Sequence, residues 1–162
     1  MHRKKKIIIV SHCILNQNSV VHPLARAKGA YTAIVKRILD NEIGLIQLPC
    51  PELLHLGEDR PPTTREEYDT PEFRSLCKTL LHNPMMQVKE YQHHGYEILG
   101  ILGINESPTC SLLKERGILM DEFKSALDNL KITLPVLGVP TDYLEGIDHE
   151  SFFQALDDFL QV

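Results

Sequence analysis

The sequence has no apolar run long enough for a membrane span or the hydrophobic stretch of an export signal. Its basic start, His2-Arg3-Lys4-Lys5-Lys6, looks like the charged head of such a signal, but the apolar stretch behind it is only about four residues long. It reads as the solvated entry to a first strand. The glycine-rich phosphate loops G-x-G-x-x-G and G-x-x-x-x-G-K-[ST] are absent, which removes two sequence signatures of nucleotide binding. No CxxC pair occurs, and structural zinc sites usually use one. Four cysteines are too few to imply a disulfide scaffold in a chain long enough to build its own core. An excess of positive charge is also missing. The net charge of −5 favours neither nucleic acid nor an anionic membrane as partner. The absence of an export signal points to a cytoplasmic, reducing compartment, where thiols are buried, catalytic or metal-bound.

What is present fits one α/β domain spanning 1–162, with 43% hydrophobic residues and neither repeat nor linker. Apolar, β-branched runs predict strands at 5–11, 44–49, 97–104 and 134–139. The first of these, Ile7-Ile8-Ile9-Val10, is uninterrupted, as in a central parallel strand covered on both faces. Between them, periodic segments predict helices at 29–41, from Thr70 to about His93 with a kink or break at Pro84, at 117–130 and at 150–160. Pro23 is placed to open a helical turn. Residues from Glu52 to Thr70 read as a long irregular stretch beside the site, suited to a lid. Alternating strands and helices imply a Rossmann-like three-layer sandwich with a mainly parallel four-stranded sheet. By analogy with small doubly wound folds, its order is expected to be 2-1-3-4.

Three of the four cysteines stand just past the carboxyl end of a predicted strand: Cys13, Cys50 and Cys110. Ligands in open α/β sheets collect in the crevice outside those ends, so the three thiols should converge. Cys77 differs, lying mid-helix among Phe73, Leu76, Leu80 and Leu81 as a packing residue. Three convergent thiols suit an iron–sulfur cluster with one iron left open to a substrate atom, or a zinc ion. Three ordinary buried thiols give the same pattern, and residue types alone leave all three readings open.

The set Ser11-His12-Cys13-Ile14-Leu15, Cys50-Pro51-Glu52 and Ser107-Pro108-Thr109-Cys110 resembles the DUF523 family, which includes the thiouracil desulfurases and related desulfidases. Order, spacing and strand placement match over about residues 5–115. The resemblance implies a 4Fe–4S cluster held by Cys13, Cys50 and Cys110, with the open iron taking the sulfur of a small thiolated compound while water replaces that sulfur at carbon. It assigns Glu52 the acid/base role and Ser107 a hydrogen bond to substrate or a proton relay. Solvated-acid and helix-cap readings of these two residues stand beside those roles. The sequence departs from the family at Asn16-Gln17-Asn18, where a glycine and a second cysteine are usual, and at Ser111 in place of glycine. Asn16, Gln17, Arg60 and Arg65 are therefore candidate substrate residues for a different thiolated compound. His12, His22 and His55 flank the same region as possible proton donors or ligands. Two other functions compete with a desulfidase: a non-catalytic cluster- or metal-binding protein acting as sulfur carrier or sensor, and a metal-free ligand-binding domain.

Overall fold

The computed structural model describes residues 1–162. Strand β1 (Lys6–Val10) is followed by the single-turn helix α1 (His12–Leu15), a 3₁₀ turn at Gln17–Ser19 and helix α2 (Thr32–Asp40). Then come β2 (Gly44–Gln47), α3 (Pro51–Leu56), α4 (Arg65–Tyr68), α5 (Pro71–His93) and β3 (Glu97–Ile104). Helix α6 (Ile118–Asn129), strand β4 (Val136–Val139) and helix α7 (Glu150–Leu160) complete the chain.

The four strands form one all-parallel sheet in the order β2-β1-β3-β4. Ile8, Ile9 and Val10 are fully buried and Ile98 to Ile104 nearly so, because β1 and β3 lie centrally with helices on both faces. Right-handed crossovers explain the layering. The β1–α2–β2 connection moves towards one edge of the sheet, whereas β2–α5–β3 and β3–α6–β4 move towards the other. Helix α5 accordingly packs on α6, and α7 rests on β3 and β4. Arg37 of α2 pairs with Asp157 of α7, tying those two helices together. The expected fold class and strand order both hold.

Three local expectations change. No helix starts at Pro23, whose peptide bond with His22 is cis; α2 begins only at Thr32, after the bends at 27–30. Helix α5 runs through Pro84 without a break. The stretch from Glu52 to Thr70 contains two short helices. Pro51 occupies the first turn of α3, and the Thr64 side chain caps α4 by accepting from the Glu67 amide. No helix is long and apolar enough to cross a membrane.

Candidate functional site

β1, β2 and β3 end at one cavity of about 450 Å³, and Cys13, Cys50 and Cys110 all line it. Cys13 lies in α1, immediately past β1. Cys50 is the N-cap of α3, where Pro49 and Pro51 end strand pairing after β2. Cys110 sits in the turn after β3, which is packed too tightly for ordinary side chains beside it. A Cβ on Gly103 would stand 2.5 Å from the Cys110 carbonyl oxygen, and one on Gly117 would stand 2.5 Å from that of Thr109. Ser107 closes the turn, its Oγ accepting from the amides of Thr109 at 3.3 Å and Cys110 at 3.0 Å. Both contacts use oxygen lone pairs, so the Ser107 hydroxyl proton remains free to donate.

Burial dominates the electrostatics of the thiols. It pushes Cys13 up to about 12, with the neighbouring Cys50 adding to the effect. Cys110 is raised well above the ordinary thiol range by burial and by the other two cysteines. Cys50 is raised as well, although the amides of Leu53 and Glu52 and the Arg60 guanidinium oppose the shift. These shifts favour the protonated thiols; a coordinated metal would reverse this, because a ligating thiol gives up its proton. A second feature fits such a group. The Ser11 hydroxyl is fully buried and has no hydrogen-bond partner, and its neighbour is the Cys110 thiol. A thiolate at Cys110 would supply the missing acceptor. No three His, Cys, Asp or Glu side chains are gathered closely enough to hold a single metal ion.

Glu52, in the first turn of α3, is buried at the same cavity wall. Its Oε2 accepts from the Thr109 hydroxyl at 2.6 Å, and its Oε1 from the Tyr68 hydroxyl at 3.2 Å. Arg60 Nε stands 3.6 Å from Oε1. Burial and the Glu52 charge raise Tyr68 to about 12, so the phenol keeps the proton it donates. Thr109 also lies 3.7 Å from Cys110 Sγ, so a single side chain spans the carboxylate and a thiol.

The remaining sequence candidates divide. Arg60 lines the cavity, but its guanidinium is buried and donates to the carbonyls of Ser19 at 2.6 Å and Gly57 at 3.0 Å. It thus fastens the loop after α3 to the turn after α1, and its free edge faces Glu52. Arg65, Asn16 and Gln17 are not in the cavity wall. Arg65 donates to the Arg116 carbonyl at 2.6 Å and pairs with Asp69. The Asn16 side chain accepts from the Asn18 amide. Gln17 is buried, donating to the Cys13 carbonyl and accepting from the Arg26 amide. All three hold local backbone, and the substrate role expected for them gains no support from the geometry. Of the three histidines, His12 lines the cavity, where burial holds its imidazole below the usual range. His22 lies outside the wall, and His55 packs against the Phe73 ring.

Thr109, Tyr68 and Ser11 were missed as site residues by pattern reading. Thr109 and Ser11 stand within the cysteine motifs, where adjacency to a thiol was the available signal. Tyr68 had none, because its approach to Glu52 depends on how α4 folds back. Val20, Val21 and Leu24 give the cavity an apolar part, and Arg26 and Tyr31 line it as well.

Fold and site together define an α/β protein with a three-thiol cavity at the carboxyl edge of a parallel sheet, completed by a buried, hydrogen-bonded carboxylate. The chain is 45% identical over 157 residues to the uncharacterized protein MJ0003 of Methanocaldococcus jannaschii, a match covering 97% of this chain and 98% of that one. It belongs to the same family as MJ0003. No protein-family model matches the sequence, and no solved structure matches it.

Proposed function

We propose that this protein is an iron–sulfur-dependent desulfidase that hydrolyses a small thiocarbonyl compound. The observation that carries the reading is the meeting of three thiols from three strand ends, Cys110 buried and Cys13 and Cys50 half-buried, with Glu52 and Ser107 around one cavity. Cys13, Cys50 and Cys110 would hold a 4Fe–4S cluster. Soft thiolates suit iron–sulfur chemistry, and three of them leave one iron of a cluster without a protein ligand. When bound, the cluster supplies an iron without a cysteine ligand, able to accept sulfur. The orphaned Ser11 hydroxyl and the DUF523-like motifs support the same assignment.

The overall reaction is a non-redox exchange: the C=S bond and water become C=O and hydrogen sulfide. Glu52, fixed by Thr109, Tyr68 and Arg60, is the group positioned to take a proton from water as it attacks carbon. Ser107 has a hydroxyl proton free to donate to a polar atom of the substrate. The apolar wall at Val20, Val21 and Leu24 would cover a flat, weakly polar ring and exclude bulk water. The test is sulfide release from a panel of thiolated nucleobases by protein reconstituted anaerobically with iron and sulfide. Glu52→Gln should retain the cluster and lose turnover. Equal turnover in Glu52→Gln would remove the acid/base assignment. A cluster-loaded wild type that releases no sulfide from any compound would favour a sulfur carrier or sensor.

A further inference from the structure

His12 lines the cavity but takes no part in the carboxylate network. Its Nδ1 lies 3.2 Å from Ser19 Oγ. The Ser19 hydroxyl already donates its proton to the Asn16 carbonyl at 2.9 Å. A hydroxyl whose one proton is committed can only accept, so the hydrogen in the first contact belongs to His12 Nδ1. The neutral ring therefore carries its lone pair on Nε2. The ring's only hydrogen bond is the one through Nδ1, which leaves Nε2 without a partner in the protein.

Metal-binding histidines have this arrangement: one ring nitrogen is anchored as a donor, which fixes tautomer and ring orientation, and the other is left to ligate. Imidazole is a suitable ligand for iron. We infer that His12 Nε2 is the displaceable fourth ligand of the cluster, binding the iron that Cys13, Cys50 and Cys110 leave open until a substrate sulfur replaces it. The inference rests on the cluster assignment above. In the exchange an iron–nitrogen bond breaks and an iron–sulfur bond forms. The lone pair returns to Nε2 and no electron is transferred. His12 thereby closes the open corner while no substrate is bound.

The experiment uses the full chain carrying ¹⁵N-labelled histidine, loaded anaerobically with iron and sulfide and reduced to its paramagnetic state. Pulsed electron paramagnetic resonance should show a histidine nitrogen coupled to the cluster. The coupling should be lost in His12→Ala at unchanged iron content, and lost in wild type on adding thiouracil as the sulfur probe. Ser19→Ala, which removes the acceptor for Nδ1, should weaken it without emptying the site. A loaded cluster with no nitrogen coupling, or with a coupling that survives in His12→Ala, overturns the inference and leaves the cluster assignment standing. Failure of the wild type to take up iron overturns both, and iron and sulfide analysis of the same sample tells the two failures apart.

Discussion

The Thr109 hydroxyl donates to the Glu52 carboxylate at 2.6 Å, joining the turn after β3 to the first turn of α3. This one contact fixes the carboxylate relative to the Cys110 thiol, because Thr109 and Cys110 are adjacent and share the turn clamped by Gly103 and Gly117. Thr109→Val keeps the shape and removes the donor. The buried Oε2 then lacks its closest partner, at a cost of about 1–3 kcal/mol. Urea denaturation should show that loss for Thr109→Val and much less for Thr109→Ser. Sulfide release should fall with the valine variant and be restored by serine.

Arg60 and Arg65 should behave differently although both are basic residues of the same stretch. Arg60→Ala strips a buried carboxylate of its cation and frees two carbonyls, so it should cost about 3 kcal/mol or more. Arg65→Ala loses one hydrogen bond and a partly exposed pair, about 1 kcal/mol. Once folded and loaded, Arg65→Ala should bind substrate as the wild type does. A substantial rise in KM for Arg65→Ala would return that residue to the substrate site.

Ser11→Ala separates a structural hydroxyl from one that serves a thiolate. The apo-protein should be unchanged or slightly stabilised, because the group removed has no partner. In the loaded protein the same change removes a donor to the Cys110 sulfur. A hydrogen bond to a ligand sulfur favours the more electron-rich, reduced cluster, so the reduction potential should become more negative in Ser11→Ala. Redox titration against the wild type checks this, and identical potentials would assign Ser11 to packing alone.

Alkaline pH should destabilise the metal-free protein. Cys13 and Cys77 are each held at about 12 in the fold, chiefly by burial, and ionise near their ordinary value when unfolded. Between about pH 9 and 12 the unfolded chain sheds protons that the folded chain keeps, so stability is intact below that window and falls as pH rises through it. The urea midpoint should be lower at pH 10.5 than at pH 8. Labelling of the native protein at pH 8 by a disulfide reagent should be slow for all four cysteines and fast in denaturant. Rapid native labelling of Cys110 would contradict its burial.

The sheet was legible because its signal is local. Ile7 to Val10 and Ile98 to Ile104 are unbroken runs without a charged or polar side chain, short and rich in β-branched residues, as in parallel strands buried on both faces. The convergence of Cys13, Cys50 and Cys110 followed from the same fact, since parallel strands present their carboxyl ends on one edge. Side-chain direction was not legible. Nothing in the neighbourhood of Arg60 indicates that its guanidinium turns inward to two carbonyls and Glu52, while Arg65 turns towards Arg116. Residues 52–70 looked irregular because α3 and α4 are too short for a periodic pattern, and their stability comes from packing such as the stacking of Tyr68 on Phe73.

The central claim is that three cysteines hold one cluster, and anaerobic reconstitution with iron and sulfide tests it most directly. Wild type and Cys77→Ala should each take up about four irons and four sulfides per chain, with the brown absorbance of such clusters. Cys110→Ala should lose most of both. Failure of the wild type to take up iron, or uptake that does not depend on Cys110, would contradict the account.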